Sequence, residues 1–218
     1  MSTKKTASTV TEGGIVIRKP NRKHVQVEIT GTTPLITHAW APEVIQEMLE
    51  KQTGTKVAAP RKKKDPVKDY IDSLYFMPGS GPLDKKPRYA FRAIAFKASM
   101  VRAAKGLPGM TMTDAKLMFF VMGQEDNEWV EIQGVPRSRQ DMVRLSGMDR
   151  KPDIRFRGEF PKWKAVVRIG YDADFINTES IINLLESAGN RVGIGERRAD
   201  TEGNSFGQFT VTGYQEEA

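Results

Sequence analysis

The residues best suited to chemistry lie near the end of the chain, in a segment rich in glycine and arginine. It reads GIGERR over residues 193–198, and two more glycines follow at positions 203 and 207. Glycine tolerates positive φ and lets another backbone come close. Such a loop is able to wrap a chain of phosphates with its N–H groups and cationic side chains. The sequence therefore predicts that this loop binds nucleic acid through Gly193, Gly195, Arg197 and Arg198.

Regular elements must hold this loop on both sides. Residues 181–188 have the apolar period of a helix, and residues 208–214 alternate like a strand. A helix–loop–strand order excludes the Rossmann and Walker fingerprints, which need a strand followed by a helix, and no GKS or GKT is present. The loop is thus not predicted to be a nucleotide-cofactor site.

Positive charge is concentrated in the middle of the chain. The whole sequence carries +7, while residues 133–170 hold ten basic residues against four acidic ones, a net charge of +6. Such density favours a polyanionic partner, with a solvated basic face as the alternative. Trp163 lies between two lysines and is a candidate surface for base stacking, as are Phe156 and Trp40, although each is also a candidate for core packing. The predicted contacts here are Arg155, Arg157, Lys162, Trp163 and Lys164.

Composition excludes several other functions. Among 218 residues there is no cysteine and there are only two histidines, so thiolate zinc sites, cysteine nucleophiles and His-rich metal sites are excluded. We therefore predict neither a metal nor a cofactor. The polar start lacks a secretory signal, and no apolar run approaches the ~18 residues of a membrane span, which predicts a cytoplasmic protein.

The pattern of elements predicts an α+β fold, an antiparallel sheet with helices on one face. Residues 1–13 are predicted to be a disordered tail, and residues 14–218 a single domain. Within that domain we expect a flexible basic loop at 52–64 and a strand-rich basic insertion at 133–170. Residues 114–122 are compatible with either a helix or a buried strand.

A central helix is predicted over residues 94–105. Ile94, Ala98 and Val101 are expected to form its apolar side. Lys97 and Arg102 lie partly off that side, where they are able to face a ligand.

Three patches together resemble a known family. They are the strand segment VEITGTTPL (27–35), the helix entry FRAIAFK (91–97) and the loop GIGERR with SFGQF (205–209). The chain resembles the RAMP superfamily, the RRM-like proteins that build CRISPR effector complexes, and particularly their repeated backbone subunit. The resemblance implies an RRM or ferredoxin-like fold and contacts from Lys97, Arg102, Arg197 and Arg198 to the backbone of a single strand. Glu196 departs from the family's loop pattern.

The leading hypothesis is a non-enzymatic protein that binds single-stranded RNA or DNA and self-associates or joins a multi-subunit, CRISPR-associated or phage-encoded assembly. A second is a metal-independent endoribonuclease with His38, which follows the first strand, as general base. A third is an assembly subunit or mimic whose basic segment binds a partner's acidic surface. The sequence leaves the choice between RNA and DNA, and the oligomeric state, open.

Overall fold

The computed structural model describes residues 19–55, 63–124, 128–144 and 152–217. The predicted tail at 1–13 and the centre of the predicted basic loop, residues 56–62, lie outside these ranges.

In the described ranges the chain forms nine strands and six helices. The strands are β1 (Arg22–Gly31), β2 (Leu35–Thr37), β3 (Tyr89–Arg92), β4 (Phe119–Met122), β5 (Trp129–Gly134), β6 (Arg137–Arg144), β7 (Pro152–Phe160), β8 (Trp163–Asp172) and β9 (Phe209–Glu217). The helices are α1 (Pro42–Gln52), α2 (Pro66–Asp72), α3 (Ala93–Ala103), α4 (Met112–Met118), α5 (Thr178–Arg191) and α6 (Ala199–Glu202). None of these helices is long and apolar enough to cross a lipid bilayer.

The main sheet has six strands in the order β3-β5-β8-β1-β9, with β4 also pairing with β8. Neighbouring strands are antiparallel. The first and last strands of the chain lie side by side, and β8 flanks β1 on its other edge. The predicted α+β fold with an antiparallel sheet is therefore confirmed.

Alternation along β1 decides which face of the sheet is covered. Val25, Val27 and Ile29 are fully buried, while the residues between them face the other way. The helices α3 and α5 cover the apolar face and contact each other, and Ser99 of α3 donates a hydrogen bond to the carbonyl of Ala188 in α5 at 3.3 Å. The core thus fixes α3 directly beside the end of α5.

The core face of α3 differs from the predicted one. Ile94 is 63% exposed and Ala98 is also exposed, whereas Phe96 and Met100 are fully buried. The helix follows β3 without a linker, and this junction sets its rotation. Of the three residues predicted to face the core, only Val101 is buried.

A second, three-stranded sheet has the order β2-β7-β6. The predicted basic segment at 133–170 is divided between the two sheets: β6 and β7 form a hairpin in the small sheet, and β8 runs through the main one. The undecided segment 114–122 is a helix followed by a strand, α4 and then β4.

Candidate nucleic-acid interface

The glycine loop after α5 is held by the protein's own carbonyl groups. The N–H of Gly193 donates to Ala188 at 2.8 Å, and the N–H of Ile194 donates to Gly207 at 3.0 Å. The N–H of Gly207 in turn donates to Pro34 at 2.8 Å. These donors are already satisfied, so the prediction that they wrap phosphates is wrong for them.

Gly195 serves close packing instead. Its φ of +83° suits glycine, and a Cβ at this position would lie 2.5 Å from the carbonyl oxygen of Ile36 in β2. The next N–H, of Glu196, donates to that same oxygen at 3.0 Å. The glycines therefore allow the loop to pack closely against β2, and this packing positions the two arginines that follow.

Arg102 of α3 and Arg198 of the loop share one carboxylate. Arg198 Nε donates to Asp200 Oδ1 at 2.7 Å, and Arg102 Nη1 pairs with the other oxygen, Oδ2. Burial lowers the pKa of Arg198, and the nearby charge of Arg102 lowers it further. Two guanidinium groups this close repel each other, and the shared carboxylate offsets the repulsion while leaving one excess positive charge.

A cavity of about 420 Å³ opens beside this pair. Its charged lining consists of Arg102, Lys105, Arg191 and Asp200, three cations against one carboxylate. Arg191, at the end of α5, donates to the carbonyls of Ala103 and Lys105 at 3.1 and 3.2 Å. It thereby caps the C-terminal end of α3 and fixes the position of the basic residues that line the cavity. A pocket of this charge suits an anion such as a phosphate.

A second carboxylate, that of Asp141 in β6, binds three arginines. Its oxygens lie 2.9 Å from Arg139 Nε, 2.8 Å from Arg197 Nη1 and 3.3 Å from Arg157 Nη1. Burial by itself raises the pKa of Asp141, but the hydrogen bond from Arg139 and the three positive charges outweigh it and hold that pKa below its ordinary value. Asp141 therefore stays ionised and ties the loop to the basic hairpin.

Arg157 lies too deep to contact a phosphate. The residue is 3% exposed and its Nη2 lies 3.4 Å from Glu196, while its Nε has no hydrogen-bond partner among the residues that the structure describes. The phosphate contact predicted for Arg157 is therefore wrong. Glu196, whose charge departs from the family's pattern, balances this buried arginine.

Near the end of β2 a cleft of about 350 Å³ collects further residues singled out in the sequence. Lys64 and Arg155 share Asp153, at 2.7 and 3.7 Å. The hydrogen bond from Lys64 holds the pKa of Asp153 below its ordinary value. The remaining lining is His38, Ala39, Trp40, Ala41, Val44, Asp69, Asp72, Ser73 and Phe156.

Trp163 is a core residue. It is 2% exposed, and its Nε1 donates to the carbonyl of Thr33 at 2.9 Å. A Cβ on Gly31 would overlap the indole, so glycine there makes room for the ring. The base-stacking role predicted for Trp163 is therefore wrong, whereas Phe156 and Trp40 both line the cleft near β2.

The other predicted contacts lie apart from the loop. Lys97 has its Nζ 4.6 Å from the centre of the Phe120 ring. Lys162 and Lys164 are exposed, one before β8 and one on it, on either side of the buried Trp163. The structure thus brings Arg102 and Arg198 together, ties Arg197 to β6, and leaves these three lysines elsewhere.

The carboxylates that organise the cations were not foreseen. Asp200 and Asp153 each stand two residues from an arginine in sequence, as Arg198-Ala199-Asp200 and Asp153-Ile154-Arg155. That spacing is a usable signal, because both members of each pair meet in the structure. Lys105 and Arg191 were also missed, since their convergence depends on how α3 and α5 pack.

A scan against protein-family models and a search of curated proteins both return no match. Among solved structures, the chain is similar to one in the cryo-EM structure of the Type III-B Cmr-beta bound to cognate target RNA, with 15% identity and a TM-score of 0.42 over 90% of this chain. It spans 61% of that longer chain. It is also similar to Cmr6 from Pyrococcus furiosus, with 11% identity and a TM-score of 0.36 over 88% of this chain and 99% of that one. At these TM-scores the likeness assigns no residue a role.

Proposed function

We propose that this protein binds single-stranded nucleic acid, RNA or DNA, through cations gathered around the glycine loop. The observation that carries the proposal is the cavity beside Asp200, where Arg102, Lys105 and Arg191 outnumber one carboxylate. Arg198 binds the same carboxylate and adds a fourth positive charge next to it. Charge-assisted hydrogen bonds from guanidinium groups are the usual means of holding phosphates.

The positive groups are held in place before a ligand arrives. Arg102, Arg198 and Arg191 each have partners within the protein. A bound strand consequently meets ordered donors, which reduces the side-chain entropy that binding would otherwise cost. Arg197 is held in the same way by Asp141 of the neighbouring hairpin β6–β7.

Salt dependence tests the proposal directly. Fluorescence anisotropy with labelled 20-nucleotide RNA and DNA strands is measured at 50 and 200 mM salt. Three phosphates neutralised on a single strand predict a loss of affinity of roughly 20-fold over this range, from a slope near −0.7 per phosphate. An affinity that is equally weak at both salt concentrations contradicts the proposal.

Matched variants locate the site. Arg102→Gln and Lys105→Gln are each expected to weaken binding and to reduce the salt slope by about 0.7. Arg168→Gln is the control, because Arg168 is also an exposed arginine paired with one carboxylate, Glu217 at 2.5 Å, but lies on β8. Equal losses in all three variants would speak against a specific site at Asp200.

A second candidate function is cleavage of RNA by His38 without a metal. Burial lowers the pKa of His38, and the charges of Arg157 and Arg155 lower it further against the opposing charge of Glu196. The imidazole is consequently neutral at pH 7 and able to accept a proton. This hypothesis predicts RNA cleavage in EDTA that His38→Ala abolishes while binding remains. Intact RNA after incubation with the wild-type protein would retire it.

A third candidate, an assembly subunit, is favoured by α1. This helix has no buried residue, and its apolar side chains are between 39% and 54% exposed. They are Val44, Ile45, Met48 and Leu49. Nuclease treatment of the purified protein separates the two kinds of assembly: large species that survive complete digestion of nucleic acid are held by protein contacts, whereas species that disappear are scaffolded by the strand.

A further inference from the structure

The cleft near the end of β2 is lined by aromatic as well as charged side chains, and in this it differs from the cavity beside Asp200. Trp40 is 60% exposed, and Phe156 of β7 lines the same space. An exposed tryptophan in a monomer has an apolar face left without a partner, and aromatic faces of this kind stack nucleobases irrespective of sequence. In the described part of the chain, no aromatic residue lines the cavity beside Asp200.

Charge is graded across this cleft. Lys64 and Arg155 have side chains that are 44% and 36% exposed, whereas the side chain of Asp72 is 18% exposed. Asp69 lines the cleft as well. The less exposed carboxylates disfavour a phosphate beside them, whereas the more exposed cations are suited to bind phosphates.

His38 adds a hydrogen-bonding group of the required kind. Its imidazole is neutral at pH 7 because of burial and the nearby arginines. A neutral imidazole has one donor and one acceptor nitrogen, so it is able to pair with the edge of a base without attracting a phosphate.

The cleft is also adjacent to the phosphate cavity. The glycine loop links the two places: the N–H of Glu196 donates to the carbonyl of Ile36, two residues before His38, and Arg198, two residues after Glu196, binds Asp200 at the cavity. One strand can therefore contact both places. The volume of about 350 Å³ lies at the lower end of small-molecule pockets, which suits one flat ring.

We propose that this cleft receives a single unpaired nucleobase of the bound strand, stacked on Trp40 on the side of the cleft that Phe156 also lines, with the flanking phosphates at Lys64 and Arg155. The inference rests on the proposed function and gives its ligand a second requirement, a base that is free of a duplex. A duplex keeps its bases stacked and paired, so it satisfies the phosphate contacts only.

The test compares two strands of equal charge. One is an intact single-stranded 20-mer, and the other carries abasic tetrahydrofuran at every position, which keeps the phosphates and removes the bases. Wild-type protein is expected to bind the intact strand about 5- to 150-fold more tightly, the range for one stacked base. Anisotropy at fixed salt measures the ratio.

Variants test whether the ratio of the affinities for the intact and abasic strands arises at the cleft. Trp40→Ala is expected to bring the ratio close to one, and Trp40→Phe to retain most of it. Phe175→Ala is the control, since Phe175 is an aromatic residue that is 72% exposed and lies outside the cleft. A thermal melt of each variant checks that the fold is intact, which we expect because Trp40 is largely exposed.

The outcomes separate the two proposals. If wild-type protein binds both strands equally and with a steep salt slope, the proposal that the cleft binds a base is wrong. The proposal that the cations around the glycine loop bind phosphates then stands. A ratio that persists in Trp40→Ala also overturns the cleft. If the protein binds neither strand at 50 mM salt, the proposed function fails and the inference falls with it.

Discussion

Arg197 and Arg198 are adjacent in sequence, yet their side chains bind carboxylates on different elements. Arg197 Nη1 lies 2.8 Å from Asp141 of β6, and Arg198 Nε lies 2.7 Å from Asp200 of α6. Arg197 has a φ of +57°, a left-handed conformation that is uncommon for a residue other than glycine. This backbone conformation turns the chain between the two arginines, so the loop joins the small sheet to the cationic cavity.

The close packing of the glycine loop predicts a large difference between two glycine substitutions. Gly207 and Gly203 have similar φ values, +71° and +68°. A Cβ on Gly207 would overlap the carbonyl of Ile194, whereas a Cβ on Gly203 would meet no atom of the described residues within 4 Å. Alanine at 203 is expected to lower the free energy of unfolding by about 1–2 kcal/mol, from the left-handed conformation alone.

Alanine at 207 is expected to cost a further 1–3 kcal/mol, because the backbone of Ile194 has to move. Urea denaturation of both variants measures the difference. Equal destabilisation would show that the loop tolerates a shift at this contact.

Trp163 is expected to affect stability and not binding. Trp163→Phe removes the hydrogen bond to Thr33 and leaves a half-buried carbonyl without that donor, at a cost of about 1–3 kcal/mol. The affinity for a single strand, measured well below the melting temperature, is expected to stay unchanged. A loss of affinity without a loss of stability would restore the stacking role.

The ionised state of Asp141 predicts a dependence of stability on pH. The pKa of this carboxyl is held below its ordinary value in the folded protein. Its contribution to stability is therefore fully present above the unfolded pKa, near 4, and is lost as the pH falls through the folded pKa. Asp141→Asn removes the carboxylate that three arginines share and is expected to lower the free energy of unfolding by about 3 kcal/mol or more at pH 7.

At pH 3 the difference between wild-type protein and Asp141→Asn is expected to shrink, since below the unfolded pKa the carboxyl of the unfolded wild-type chain is protonated and has to release that proton on folding. Urea denaturation at the two pH values measures it. Asp174→Asn, at an exposed aspartate, is the control and is expected to change little at either pH. A difference that grows towards low pH would contradict the assigned role of Asp141.

Local patterns predicted the fold well, because they depend on near neighbours. The alternation in β1 and the helical period of α5 report directly on which side chains are buried. The same rule should have placed Trp163 inside, since Lys162 and Lys164 on either side of it require the opposite face. Its basic neighbours instead suggested a binding surface.

The site was less predictable, because it depends on distant pairings. The sequence does not reveal that Arg139 lies opposite Arg157, or that the glycine loop covers that face and buries Arg157. It also gives no indication that Asp200 would be reached from α3. Glycines and arginines in one loop indicated a binding site, but only the packing shows that the glycines position the loop and that its arginines belong to two clusters.

The carboxylates in the base-binding cleft predict a preference among bases. Asp69 and Asp72 are acceptors, and cytosine has an exocyclic amino donor where uracil has a carbonyl oxygen. Asp72 is already bound by Lys68 at 2.6 Å, so Asp69 is the better candidate for this contact. Oligocytidine is therefore expected to bind more tightly than oligouridine of equal length, by about 1–3 kcal/mol as for one well-formed base contact.

Asp69→Asn tests the assignment. Its amide offers both a donor and an acceptor, so it can pair with either base. The ratio of the affinities for oligocytidine and oligouridine is therefore expected to fall towards one. Competition between the two oligomers at one salt concentration measures the preference without interference from phosphate contacts. Asp84→Asn, an exposed aspartate in a turn held by Ser80 and Gly81, is the control. A preference that is unchanged in Asp69→Asn would place the selective contact elsewhere in the protein.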